Sequence, residues 1–193
     1  SDVLVVNKIK INSETLGANP KVSLVCVAAT GFDNIDLEYC KNRKIAVCNV
    51  RGYSTYSVAQ ITVAAVLSLT CKMPQYNEYV KSGRYTESGI ANRLVPVYHE
   101  LFGKGWGIVG AGNIGRQVAK IAEALGCRVI VCKRTPVSDM ECVNIDTLCK
   151  TADIISVHTP LTDETRGLIS RERIALMKKD AIFVNVARGA IAD

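Results

Sequence analysis

The sequence predicts an α/β fold built on a doubly wound parallel sheet, and three observations carry that expectation. Between Trp106 and Arg134 a short apolar strand, a G-x-G-x-x-G turn, an amphipathic helix and a second strand follow one another. Elsewhere, short apolar runs alternate with short helical stretches, the pattern of parallel strands joined by helical crossovers. Finally, 193 residues of which 48% are hydrophobic suffice for a packed α/β core.

In chain order, Asp2 to Val6 reads as a strand, and with no initiator Met before it the expectation is that sequence precedes Ser1. Val22 to Ala28 is a second buried strand ending at Ala29-Thr30-Gly31. Asn34 to Asp36 opens a short helix through about Arg43, and Ile45 to Cys48 is a third strand. Ligands of a parallel sheet gather at the carboxyl ends of its strands, and Thr30-Gly31 lies at such an end. Ser54 or Ser57 then caps a helix in which Val58, Ile61, Ala65, Val66 and Leu69 follow helical spacing up to the breaker Pro74; core packing is the default reading of that stripe. Gln75 to Gly103 is polar, with several Gly and Pro, and reads as an arm or hinge.

Gly105 to Val109 is a buried strand that runs into the glycine turn. Gly110 permits the tight turn, Gly112 lets backbone approach a pyrophosphate, and Gly115 lets the helix pack close to the strand. The helix start offers free N–H groups to an anion. Val118, Ile121, Ala122 and Leu125 keep one apolar face, Gly126 stops the helix, and Cys127 to Cys132 is the next strand. In this context the motif reads as dinucleotide binding. NAD-using folds place an acidic residue about 20 residues beyond the turn, where it accepts from the adenosine ribose. Here that position is Lys133, followed by Arg134, so two cations favour a 2′-phosphate: NADP(H) is the expected cofactor, with NAD(H) possible.

Asn144 to Lys150 reads as a helix, Asp153 to His158 as a strand, Ser170 to Met177 as a helix capped by Ser170, and Asp180 to Ala187 as a strand ending on Arg188-Gly189. A doubly wound domain needs further strands, so the sheet is expected to continue past Asp193. An Arg before Gly at a strand end is, taken alone, more often a solvated turn residue. A guanidinium there can also pair with a 2-oxo-acid carboxylate and polarise the adjacent carbonyl.

Composition narrows the remaining classes. The net charge of +6 comes from dispersed Lys and Arg without a basic run, so no nucleic-acid partner is expected. The longest apolar-rich stretch, Val58 to Leu69, is interrupted by Gln60, Thr62 and Ser68 and is too short for a membrane span; no secretory signal opens the chain. Eight scattered cysteines without a C-x-x-C pair, and only His99 and His158 beside them, point to reduced thiols in a cytoplasmic protein and to no metal site.

Four stretches, Val27 to Gln60 with its ATGFDNID, Gly103 to Val131 with its GIVGAGNIG, Ala152 to Lys178 with its VHTPLTDETRGLI, and Ala181 to Asp193 with its VNVARGAIAD, resemble in content and order the D-isomer-specific 2-hydroxyacid dehydrogenases. The first stretch most resembles the glycerate dehydrogenase and hydroxypyruvate reductase branch. The resemblance implies a Rossmann-type cofactor domain over 103–193, incomplete at its end, a linking helix and dimerisation arm over 54–102, and part of a flavodoxin-like substrate lobe over 1–53. It implies hydride transfer between a nicotinamide cofactor and a small 2-oxo or 2-hydroxy acid. Arg188 is then the catalytic arginine. Thr30 lies near the nicotinamide, and the backbone of Thr30-Gly31 helps hold the substrate carboxylate. Asn113 and Ile114 cover the diphosphate, Thr159 lines the adenosine side, and Val186-Ala187 border the nicotinamide. The family's proton-donating histidine and its glutamate belong to a region following Asp193, and neither His99 nor His158 is promoted to that role. The family commonly dimerises, which makes Gln75 to Gly103 the candidate contact of a homodimer. Two further readings stay open, an NAD(P)-sensing binding module of the corepressor type and a catalytically silent fragment.

Overall fold

In the computed structural model, which describes residues 2–193, the expected strands form two separate parallel sheets. Ser1, the first residue of the expected substrate lobe, lies outside the described residues. The first sheet runs β1 (Val3–Val6), β2 (Leu24–Val27), β3 (Ala46–Asn49), with Val6, Val27 and Asn49 in register at their carboxyl ends. Its crossovers are α1 (Ser13–Gly17) and α2 (Leu37–Asn42), and Val25, Val27, Leu16, Cys40 and Ile45 form its core. Helix α1 was not expected: it buries only Leu16 and so leaves no periodic stripe. It is fixed instead by a reciprocal cap, in which Asn12 Oδ1 accepts from the Thr15 N–H at 3.1 Å and Thr15 Oγ1 accepts from the Asn12 N–H at 2.9 Å.

The long helix α3 (Thr55–Thr70) corrects three expectations. Its buried face is Ala59, Thr62, Val63, Val66 and Thr70, whereas Ile61 and Leu69 of the expected stripe are 60% and 52% exposed. The face is rotated by one residue, about 100°. Small Ala59 and Thr62 are among the residues buried where α3 packs against the second sheet, and the buried hydroxyls of Thr62 and Thr70 satisfy themselves on the Val58 and Val66 carbonyls at 2.7 and 2.8 Å. Ser54 occupies the cap position without a side-chain bond, and Ser57 donates to the Ser54 carbonyl from inside the helix. Pro74 does not break α3: the helix ends at Cys71, Lys72 turns left-handed at φ 53°, and Pro74 sits in the first turn of α4 (Met73–Lys81), where the missing N–H has no helical partner to lose.

The segment expected as a plain arm therefore carries α4 and then α5 (Arg84–Ser88), and Gly89 to Phe102 follows without helix. Tyr79 holds this part together. It is buried, meets Tyr85 edge to face, and lies 3.8 Å below the Arg93 guanidinium.

The second sheet has the order β5 (Arg128–Cys132), β4 (Gly105–Val109), β6 (Ile154–Val157), β7 (Ile182–Asn185). Helices α3 and α6 (Asn113–Ala124) cover one face through Val66, Val118, Ala122 and Trp106. Helix α7 (Ile145–Thr151), with Ile169 and Ile191, covers the other. Helix α8 (Arg171–Leu176) leads into β7; Ser170 at its start donates to Glu172 and does not cap it. The chain runs from β4 to β5 on one side and returns to β6 on the other. The strand order thus reverses about β4, the place where doubly wound sheets bind ligands. Among the described residues no single helix is long and apolar enough to cross a membrane.

A polar contact between two strands is also built into this core. Trp106 is fully buried between the sheet and α3, and its indole N–H donates to Ser156 Oγ at 2.9 Å across the β4–β6 pair. Replacing Ser156 with Ala deletes the acceptor and leaves a buried N–H unpaired, so unfolding free energy should fall by roughly 1–3 kcal/mol. Denaturant unfolding of the whole protein checks this; a loss near zero would mean that another acceptor takes the indole.

Candidate functional site

The glycine turn closes the carboxyl end of β4. Gly110 adopts φ +99°, and its α-carbon lies so close to the His158-Thr159 peptide that a Cβ would stand 2.9 Å from the Thr159 nitrogen. Gly115, in the first turn of α6, rests on the Gly110 carbonyl, where a Cβ would overlap the oxygen. Gly112, the N-cap, has nothing within 4 Å of a built Cβ, and no side chain caps the helix. The first N–H groups of α6, at Asn113, Ile114 and Gly115, have no partner within the helix and open onto that free space. This cradle fits a diphosphate: a glycine-lined gap, free N–H donors and the positive end of a helix of 12 residues.

A second part of the site forms where the two sheets meet. At the end of β7, Asn185 Oδ1 accepts from the Ala187 N–H at 3.1 Å and its Nδ2 donates to the Arg188 carbonyl at 2.8 Å, which fixes the turn Val186-Ala187-Arg188. The Arg188 guanidinium reaches the loop after β2. A Cβ at Gly31 would overlap Nη2, so the guanidinium would have to move aside if a side chain stood there. Thr30 beside it is exposed, donates through Oγ1 to the Val50 carbonyl at 3.0 Å, and receives Asn49 Nδ2 on its own carbonyl at 2.7 Å. The fold thus brings Thr30-Gly31 and Arg188 together although Gly31 and Arg188 lie 157 positions apart in the sequence. It also adds a residue that sequence reasoning missed. Asp33 Oδ1 accepts from Arg188 Nε at 2.9 Å. The only sequence signal was its place in the same Thr-Gly-Phe-Asp turn.

Lys133 and Arg134 follow β5 directly and are exposed. Arg134 is paired with Glu164 at 2.9 Å, both side chains largely in water, so the contact is weak and easily exchanged. Their loop is tied to α6 by a two-bond contact between Arg116 and Asp139, and that hydrogen-bonded guanidinium holds the Asp139 carboxyl below the usual carboxylate range. His158 follows β6, its Nε2 3.0 Å from Ser156 Oγ and its Nδ1 buried without a partner among the described residues. Burial lowers its pKa to about 4, so it is neutral at pH 7. His99 lies elsewhere, lining a cavity of about 520 Å³ with Lys72, Lys104, Asp153 and Lys178, at the amino ends of β4, β6 and β7 and away from the glycine turn.

Comparison with known proteins identifies related chains. Residues 63–193 match the family profile described as D-isomer specific 2-hydroxyacid dehydrogenase, NAD binding domain. A hydroxypyruvate reductase from Thermotoga maritima is 37% identical over 196 residues, covering 100% of this chain and 62% of its own length. Among solved structures, a D-lactate dehydrogenase from Aquifex aeolicus complexed with NAD and lactic acid superposes with a TM-score of 0.90 at 33% identity, covering 100% of this chain and 58% of that one. An acyclic imino acid reductase in complex with NADPH and D-Arg gives a TM-score of 0.90 at 30% identity, covering 100% and 62%. The chain thus spans about 60% of the length of these relatives.

The state of His158 makes stability depend on pH. The folded protein holds the imidazole neutral down to about pH 4, whereas the unfolded chain takes up a proton below its ordinary value of 6.5. Unfolding free energy should be unaffected above pH 6.5, fall as pH drops from there, and level off below about 4 with roughly 3 kcal/mol lost to this group. Denaturant melts across that range, compared with a His158→Gln variant that lacks the titration, measure the contribution.

Proposed function

The chain belongs to the D-isomer-specific 2-hydroxyacid dehydrogenase family, and from that premise we propose that the protein is an oxidoreductase passing a hydride between a nicotinamide cofactor and a small 2-oxo or 2-hydroxy acid of the glyoxylate, hydroxypyruvate or glycerate kind. The observation that carries this reading is the approach of Arg188 to Gly31 at the carboxyl ends of two sheets, in the same fold as an open glycine cradle.

In this reading 1–53 is part of the substrate lobe, 54–102 the linking helix and arm, and 103–193 the cofactor domain. Gly110, Gly112, Asn113, Ile114 and Gly115 hold the diphosphate through backbone N–H groups. Thr159 lines the adenosine side, and Thr30, Val186 and Ala187 border the nicotinamide, which supplies the hydride when bound. The Gly31 backbone and Arg188 hold the substrate carboxylate. The guanidinium also stabilises the negative charge that grows on the 2-oxo oxygen as the C2 carbon is reduced. Neither histidine of this chain donates the accompanying proton. His158 is neutral and engaged with Ser156, and His99 stands at the wrong end of the sheet. Exposed apolar residues on the outer face of α3 and along the arm, Ile61, Leu69, Leu94 and Val97 among them, support a homodimer through this surface. Eight free cysteines support a cytoplasmic setting.

NADP(H) is the preferred cofactor, because Lys133 and Arg134 stand where an acidic ribose acceptor would repel a 2′-phosphate. A charge-assisted bond of roughly 1.5–3 kcal/mol gives about tenfold to a hundredfold tighter NADPH than NADH. Fluorescence titration of the whole protein at moderate salt tests the preference, and Lys133→Asp should reverse it; equal or tighter NADH binding by the unmodified protein would refute it. Arg188→Lys keeps a charge but loses the planar fork. It should raise KM and lower kcat together, at a cost on the order of 2–4 kcal/mol in transition-state stabilisation, and leave cofactor affinity nearly unchanged. Near-normal kcat/KM with every 2-oxo acid tested would remove Arg188 from the site.

A further inference from the structure

A guanidinium carries five N–H donors in a rigid plane, so what it does to a ligand depends on which donors are already engaged. In Arg188 the Nε–H is on Asp33 Oδ1 at 2.9 Å and one Nη1–H is on the Ala187 carbonyl at 3.0 Å. Three N–H bonds remain, two of them on Nη2, the nitrogen that lies against Gly31. Two fixed contacts therefore set the roll and tilt of the plane. The donors they leave free are on the side where the Gly31 backbone stands.

Asp33 is itself presented by an anchored loop. On one side the Thr30 carbonyl is held by Asn49 Nδ2 at 2.7 Å; on the other, Asn34 Nδ2 donates to the Ile9 carbonyl at 2.6 Å. Among the described residues, the Asp33–Arg188 pair is the only side-chain hydrogen bond or salt bridge that joins 2–53 to 103–193. Side-chain exposures of 32% and 38% leave it within reach of water, so it orients the arginine without locking the two sheets together.

We propose that Asp33 is a positioning residue for Arg188: its carboxylate fixes the Nε edge of the guanidinium so that the Nη2 edge is presented with the Gly31 backbone to the carboxylate of the 2-oxo acid. This rests on the dehydrogenase reading above. Without Asp33 the long side chain regains its rotamers and swings toward solvent, and the carboxylate must order it on binding. The loss falls on substrate capture rather than on the cofactor, whose cradle lies on the glycine turn.

The test is steady-state kinetics of the whole natural protein with the 2-oxo acid it reduces best, combined with NADPH titration. Asp33→Ala should raise KM on the order of tenfold, change kcat less, and leave the NADPH Kd within about twofold. Asp33→Asn, which keeps an oxygen acceptor of the same size, should recover part of the KM. In an Arg188→Lys background, where no Nε–H exists to be oriented, adding Asp33→Ala should shift KM by less than about twofold. A merely structural role would predict the same loss in both backgrounds and a weakened cofactor, and either result overturns the proposal. So does an unchanged or lowered KM for both Asp33 variants in an active protein. A wild-type protein inert toward every 2-oxo acid would sink the function reading together with this one, whereas an active wild type with unaltered variants would sink only the role of Asp33.

Discussion

The contact between Gly115 and the Gly110 carbonyl is the constraint on which the second sheet depends. With hydrogen in place of a side chain, the first turn of α6 rests directly on the end of β4. That seating brings Val118, Ala119 and Ala122 onto Trp106 and Ile108 and lets α3 pack on the same face. Any larger residue would push the helix off the strand and open this core. The same seating aims the free N–H groups of α6 at the open space over Gly112. Stability and binding geometry therefore come from a single close approach.

The two sheets are joined differently. Each has its own core, and among the described residues one partly exposed ion pair is the side-chain polar link between them. Such pairs contribute little to stability. Their value lies in direction, because Arg188 is placed by groups from both sheets: Asn185 fixes its backbone, Asp33 its guanidinium, and Gly31 the space beside it.

Close backbone packing also explains the behaviour of His158. Its peptide is pressed against Gly110 while its ring is turned onto Ser156, which in turn accepts the Trp106 indole. The imidazole is thus part of a buried polar chain that ties β4 to β6, and its depressed pKa follows from burial rather than from any catalytic partner.

Much of this was legible in the sequence because it depends on local chemistry. The strand, glycine turn and helix from Gly105 to Ala124 are specified by residues in contact with their own neighbours, and so is the stop at Gly126. Where two arrangements satisfied the local pattern, tertiary packing decided. Helix α3 offers apolar residues on more than one side, and only the packing against α6 and the second sheet selected Ala59, Thr62 and Val66 over Ile61 and Leu69. Pro74 is compatible with the end of one helix or the first turn of the next, and the left-handed turn at Lys72 with the burial of Tyr79 chose the latter. The partnership of Asp33 with Arg188 spans 155 positions and carries no local signature. The sequence by itself determined the class of sheet, the glycine cradle and the arginine, because short-range sterics and periodicity encode them. The facing of the helices and the grip on that arginine were left to the tertiary structure, because they arise only when distant surfaces compete for the same contact.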